Sequence, residues 1–380
     1  MKTVFYWSPC LNKVGTLKST INSALALSKY SKDEYKIKVI NACGEWNEQR
    51  NLFEKNNIEI LDFNFTYFKY LPKKGFLASR LSYIVIILLS IVPLYKILKN
   101  EKPDFIIIHL ITSLPLILLN IFNFKTKFIL RISGYPKLNL WRKFLWNIVS
   151  KKIEKVTCPT NDLIEQLKIA KIFDKDKLVF LPDAIININD FLLQINHKNK
   201  DQIEKYKKKY FISVGRLTKQ KNFNYLIDEF YEFTKNNDDT DLLIFGDGEE
   251  KNSLIKKIGN KNLEQRVFLM GHNKYVYSYM KKAQAFILSS LWEEPGFVII
   301  EAALSNLFII SSDCPNGPQE FLQNGDAGML FESNKKFELT KKLEKFSYEQ
   351  KEVKNKKIKA KKNCMKYTMF RHSLYLRKII

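Results

Sequence analysis

Acidic residues are far outnumbered by basic ones in this sequence, and histidine and paired cysteines are scarce or lacking. Among 380 residues, 39 are Asp or Glu and 4 are His, against 63 Lys and Arg, which leaves a formal net charge of +24. Such an excess calls for an anionic partner: nucleic acid, an anionic membrane surface or a phosphorylated ligand. The Lys and Asn bias of an AT-rich genome accounts for part of it. The five cysteines, Cys10, Cys43, Cys158, Cys314 and Cys364, are odd in number and never stand as C-x-x-C. That spacing excludes a disulfide framework and a zinc ribbon, and it fits a reducing cytoplasm. The apolar start Met1–Trp7 reaches Pro9 too soon to be a signal-peptide core and reads as a first strand. No short-period repeat, helix-turn-helix, zinc finger or RNP signature is present, and the lysines are spread along the chain. A specific nucleic-acid partner is therefore not expected.

Disorder is excluded by what the sequence does have: 46% hydrophobic residues, gathered into blocks. Two blocks, Leu81–Tyr95 and Phe105–Phe124, are long, but a charged break at Lys96–Asp104 parts them. The first reads as a core helix rather than a membrane span, the second as a buried strand followed by a helix. Short apolar runs alternate with helical patterns along the whole chain. Strands are expected at Lys2–Tyr6, Ile37–Asn41, Ile58–Phe63, Phe105–Ile108, Phe128–Ile132, Lys155–Cys158 and Leu178–Leu181. A second series follows at Phe211–Val214, Leu242–Phe245, Val267–Met270, Ala285–Leu288, Phe308–Ser311 and Met329–Phe331. This alternation predicts an α/β chain of two doubly wound, Rossmann-like domains, 1–182 and 210–345. Residues 183–209 read as a linker and 346–380 as a basic helical tail.

Candidate chemistry collects after the strands of the second series, where open parallel sheets bind ligands. Gly215-Arg216 and Lys221 follow the first of them, and the two cations suit a diphosphate. Gly246-Asp-Gly248 and Gly271 follow the next two and allow a close backbone approach. Glu293-Glu294-Pro295-Gly296 leads from a strand into a helix carrying Glu301, and the start of that helix favours a phosphate. Asn316-Gly317-Pro318-Gln-Glu320 follows another strand, with Pro318 placed to open a short helix. Asp239-Thr-Asp241 imitates a metal-binding pair but precedes its strand, at the wrong sheet edge. No metal cluster is expected.

The order Val-Gly-Arg-Leu-x3-Lys, Phe-Gly-Asp-Gly, Phe-Leu-x-Gly, Glu-x7-Glu-Ala and Gly-x-x-Glu, over Phe211–Phe331, resembles the retaining GT-B glycosyltransferases of the glycosyltransferase 4 group. The stretch Ser311–Glu320 is similar to a subset that builds bacterial surface polysaccharide, lipopolysaccharide or lipid-linked oligosaccharide. The resemblance implies two Rossmann-like domains facing a cleft. It also implies transfer of a hexose or N-acetylhexosamine from a nucleotide-diphosphate sugar to a glycan or polyprenyl-linked acceptor, with no metal and no cofactor. It gives Arg216 and Lys221 to the donor diphosphate, Glu301 to the ribose, Glu293 (or its neighbour Glu294) to the donor sugar, and Glu320 with Gly317 to the phosphate region. His109 matches a position near the reacting sugar. Gly15, in Ser8–Thr16, stands where the family has a Gly-rich first loop, and Arg131 and Gly134 look like further cleft-facing residues. A sugar epimerase or glycogen-type synthase on the same fold is the alternative. Lys69, Lys73, Lys74 and Arg80, with Phe65, Tyr67, Phe68, Tyr70 and Phe76 among them, flank Leu81–Tyr95 and suggest binding to the inner face of the cell membrane.

Overall fold

The computed structural model describes residues 1–11, 15–65, 71, 76–195, 209–348 and 350–380. The chain divides into two compact units, Met1–Ile185 with Thr368–Ile380, and Ile186–Tyr367.

The first unit is a seven-stranded parallel sheet. In chain order it runs β1 (Lys2–Trp7), α1 (Gly15–Tyr30), β2 (Tyr35–Asn41), α2 (Arg50–Lys55), β3 (Glu59–Asp62), α3 (Phe76–Glu101), β4 (Phe105–Ile108), α4 (Ser113–Ile121), β5 (Lys127–Arg131), α5 (Leu140–Val149), β6 (Lys155–Cys158), α6 (Asn161–Ala170) and β7 (Leu178–Phe180). The spatial order β3-β2-β1-β4-β5-β6-β7 reverses direction between β1 and β4. Val4–Trp7 and Phe105–Ile108, paired there in parallel register, are fully buried. Continuous apolar strands follow from a sheet covered on both faces. One face carries Leu94, Leu98, Leu116, Leu145, Trp146 and Leu163 from α3, α4, α5 and α6. The other carries Leu25, Phe53 and Leu376.

The second unit opens with α7 (Ile188–Ile195) and then repeats the scheme. It runs β8 (Lys209–Val214), α8 (Phe223–Thr234), β9 (Thr240–Phe245), α9 (Lys251–Asn260), β10 (Val267–Gly271), α10 (Val276–Lys282), β11 (Ala285–Leu288), α11 (Phe297–Leu304), β12 (Phe308–Ser312), α12 (Pro318–Phe321), β13 (Met329–Phe331), α13 (Glu338–Tyr348) and α14 (Gln350–Cys364). Its sheet order is β10-β9-β8-β11-β12-β13, with the reversal between β8 and β11. Every strand pair in both sheets is parallel.

The ends of the expected domains are drawn differently. The expected linker 183–209 contains α7, which packs inside the second unit: Phe191 meets the Tyr277 ring at 5.2 Å and Gln194 O accepts from Ser278 Oγ at 2.9 Å. Residues 196–208 lie outside those described. The expected tail 346–380 is divided. Val353, Ala360 and Cys364 of α14 are buried in the second unit, and a last helix, α15 (Met369–Leu376), returns to the first. There His372 donates from Nδ1 to the Pro182 carbonyl at 2.7 Å and accepts at Nε2 from Ser23 Oγ at 2.7 Å, and Ser23 in turn accepts from the Tyr6 hydroxyl at 2.9 Å. A lysine-dense sequence hides this because the few residues that bury are spaced a turn or two apart.

The long helix α3 is a larger correction. Its sequence reads as a core helix, yet only 28% of its most apolar stretch is buried. Its seam Ser82, Ile86, Ser90, Leu94 and Leu98 packs inward, while Leu81, Ile84, Leu88 and Val92 are exposed.

Candidate functional site

At the C-terminal edge of the six-stranded sheet, three loops are locked together by backbone contacts. Gly215 N–H donates to Phe245 O at 2.9 Å, Gly246 N–H to Gly271 O at 2.8 Å and Leu217 N–H to Asp247 O at 3.0 Å. Gly246 sits at φ 138°, and a Cβ there would lie 1.9 Å from the Gly215 carbonyl oxygen. Only glycine fits that approach. The β11 and β12 loops interlock in the same way. Glu293 N–H donates to Pro315 O at 3.1 Å, and Gly317, at φ 146°, would place a Cβ 2.1 Å from Pro295 O.

These loops bring the β8 and β11 candidates into contact. Lys221 Nζ lies 2.5 Å from Glu293 Oε1, which also accepts from Ser290 Oγ at 2.5 Å. Both side chains of the ion pair are largely enclosed, 15% exposed for Lys221 and 4% for Glu293. The pair is further held by Ser289 Oγ donating to Lys221 O at 2.8 Å and by Leu291 N–H donating to Gln220 O at 2.8 Å. Glu293, not the exposed Glu294, is thus the built-in carboxylate of this loop. Taking both charges out of water is costly, and removing either partner leaves the other stranded.

Arg216 is arranged differently. It is exposed, and its guanidinium has no hydrogen-bond or ion-pair partner among the described residues. It lines a cavity of about 320 Å³ together with Val214, Phe245, Asp247, His272, Asn273 and Val276. Apolar walls with a cation at the rim suit a flat heterocycle bearing an anionic tail. Glu301, in α11, accepts a hydrogen bond from Tyr277 of α10; burial and the nearby carboxylate push the Tyr277 hydroxyl well above its ordinary range. Gly296 caps α11 at φ 87°, and Glu320 lies in the short α12, whose first residue is Pro318.

His272, Asn273 and Val276 were missed by the sequence reading, which stopped at Gly271. The signal was their position immediately after a strand whose terminal glycine was already singled out. Asp241 lies inside β9 near its start, paired with Arg266 at 3.2 Å. No group of three or more His, Cys, Asp or Glu placed to hold a metal occurs among the described residues.

In the first unit, His109 follows β4 and is 5% exposed. Thr20 Oγ1 donates to Thr16 O at 2.9 Å and lies 3.1 Å from His109 Nδ1, so Nδ1 carries the proton it gives to Thr20. Nε2 is buried and has no partner among the described residues. Burial first, then the Arg131 charge and His372, hold the imidazole well below its ordinary pKa. This His is a neutral acceptor near pH 7. Gly15 is the first residue of α1, and residues 12–14 of the loop before it lie outside those described. Arg131 corrects its expected role as a cleft-facing residue. It is buried, and its guanidinium is committed to Asp183 and Ser133.

Residues 195–363 match the family model for glycosyl transferases group 1. They form a group 1 glycosyltransferase domain. The chain is 34% identical over 248 residues to an uncharacterised glycosyltransferase of Methanocaldococcus jannaschii, covering 60% of each chain. It is 28% identical over 264 residues to the Escherichia coli UDP-Gal:alpha-D-GlcNAc-diphosphoundecaprenol alpha-1,3-galactosyltransferase, covering 64% of this chain and 66% of that one. The chain thus spans less than two thirds of the length of either relative. In fold it superposes on a glycosyltransferase from Rickettsia africae with a TM-score of 0.77 at 18% identity, over 100% of this chain and 97% of that one. Two parallel sheets of this order, each flanked by helices, are the GT-B fold.

Proposed function

We propose that this group 1 glycosyltransferase moves a hexose or N-acetylhexosamine from a nucleoside-diphosphate sugar to a glycan or polyprenyl-linked acceptor in bacterial surface-polysaccharide synthesis, with retention at the anomeric carbon. The observation that carries the reading is the convergence of Arg216, the Lys221–Glu293 pair and an apolar cavity on one sheet edge. The cavity takes the nucleoside, and Glu301 holds ribose hydroxyls beside Tyr277. Arg216 meets the diphosphate, where a fixed cation stabilises the charge that develops as the sugar departs. Lys221 supports the same charge, and Glu293 orients the sugar hydroxyls while keeping Lys221 in place. His109 Nε2 offers an acceptor for a sugar hydroxyl. Charge neutralisation by side chains makes a metal unnecessary, so turnover persists in excess EDTA. The diphosphoundecaprenol acceptor of the Escherichia coli relative supports a lipid-diphosphate acceptor here, and hence work at the inner face of the cell membrane.

The test is a panel of nucleoside-diphosphate sugars with a polyprenyl-diphosphate-linked acceptor, products read by NMR. A new α-linkage from an α-donor supports the reading. Inversion, free epimerised sugar nucleotide, or no turnover with any donor overturns it.

A further inference from the structure

In a helix layer covering a sheet, the face turned away from the sheet is normally polar. Two helices of the first unit break that rule on the same face of the sheet. In α3, Leu81, Ile84, Leu88 and Val92 recur at helical spacing opposite the buried seam, and Leu88 is 61% exposed. In α5, Trp141 and Phe144 are each 59% exposed, while Leu145, Trp146 and Val149 are buried. Both helices pack on the same sheet face with α4 between them, so their outer faces point the same way. Tyr83 of α3 bonds Ser113 of α4 at 2.9 Å, and Tyr95 meets Phe122 at 4.4 Å. Lys152, just past α5, donates to Leu119 O and Asn120 O.

The stretch of sequence that carries these helices is strongly basic. Residues 63–153 contain fifteen Lys and Arg and two acids, Glu101 and Asp104. Both acids stand at the far end of α3, where Glu101 pairs with Lys38 and Asp104 accepts from Thr3 N–H. At the other end, Arg80, Lys137 and Lys143 are exposed around the starts of α3 and α5. That end is the C-terminal edge of the sheet, from which His109 emerges.

Length and composition would also let Arg80–Glu101 cross a membrane. The seam excludes it here: Leu94 and Leu98 belong to the core under the sheet, and a spanning helix would have to leave it. A helix with one apolar face, one packed face and basic ends lies in the interface instead.

We propose that the outer faces of α3 and α5 form a docking surface for an anionic lipid bilayer, with Trp141 and Phe144 at the headgroup–acyl boundary and Lys137 and Lys143 against the headgroups. This deepens the membrane reading above: it assigns docking to two helix faces, whereas the loop lysines 69, 73 and 74 lie outside the described residues. It rests on that reading only for the lipid nature of the acceptor.

The experiment is flotation of the full chain with phosphatidylglycerol-containing or pure phosphatidylcholine vesicles. The chain floats with anionic vesicles at low salt and is released as salt rises. Trp141→Ser with Phe144→Ser, and separately Leu88→Ser with Val92→Ser, lower partition at least tenfold without shifting the melting temperature. Lys137→Glu with Lys143→Glu abolishes the preference for anionic vesicles. Leu192→Ser with Leu193→Ser, on the exposed face of α7, changes nothing. Equal flotation of the α5 variant and the parent overturns the proposal. So does a parent that ignores vesicles and whose dimer, by light scattering, dissociates in the same variant. Protection against melting by a nucleoside diphosphate, read on the same samples, fails independently if the glycosyl-transfer reading is wrong.

Discussion

The two units carry the same kind of sheet and use their edges in different ways. In the second, the C-terminal edge gathers charge: an enclosed Lys221–Glu293 pair, an exposed Arg216 and a cavity of about 320 Å³. In the first, two of the basic side chains at the corresponding edge are buried and taken up by the fold itself. Arg131 is spent on Asp183, and His372 is held by Ser23 and Pro182. Among the described residues, His109 Nε2 is one of the buried polar atoms without a partner. Equal folds therefore do not imply equal sites; the loops after the strands decide.

The sharpest way to break this contrast is Lys221→Ala. It strands the Glu293 carboxylate in an enclosed loop and lowers the stability of the second unit by about 3–5 kcal/mol, measured by urea unfolding. The double variant Lys221→Met with Glu293→Gln recovers most of that loss but not turnover. A Lys221→Ala protein as stable as the parent would mean that the pair is not formed.

Arg216→Ala tests the opposite property. No described residue pairs with its guanidinium, so the melting temperature holds while turnover falls about 10²–10³-fold. Glu301→Gln has a smaller effect. Replacing a charged acceptor by a neutral one weakens free nucleoside diphosphate and intact donor alike, by roughly tenfold. Weaker binding of the donor alone would move Glu301 from the ribose to the sugar.

The smallest effect separates the units by pH. Burial lowers the folded-state pKa of His109 and of His372. A histidine depressed in this way contributes stability that is present above its unfolded value, about 6.5, and is lost as pH falls below it. Glu45 in the same unit works against this trend. Burial raises its carboxyl to about 7, so its contribution declines as pH rises from about 4.5. On a Glu45→Gln background, the melting temperature falls as pH drops below about 6.5, and His372→Gln flattens the slope. A flat profile before that second substitution would show the imidazoles to be solvated.

Much of this was legible in the sequence because buried parallel strands are written as unbroken apolar runs. Lys2–Tyr6, Phe105–Ile108 and Ala285–Leu288 could be placed to within a residue or two. The candidate residues of the second unit were legible because each follows such a run. The Lys221–Glu293 pairing was not, since 72 positions separate the two and no local pattern links them. The exposed face of α3 was hidden for a different reason. Composition tells how apolar a helix is, not which of its faces the rest of the chain covers. The return of α15 to the first unit was masked by surrounding lysines, and Arg131 misled because an Arg after a strand looks alike whether it meets a ligand or Asp183.

We propose that the second unit holds a nucleoside-diphosphate sugar by an apolar cavity and Arg216 without a metal. Calorimetric titration of the full chain with UDP and UDP-sugars in excess EDTA tests it most directly. Saturable one-site binding that weakens at least tenfold in Arg216→Ala is the predicted result. No binding of any nucleoside diphosphate, binding that needs Mg²⁺ or Mn²⁺, or equal affinity in Arg216→Ala would contradict it.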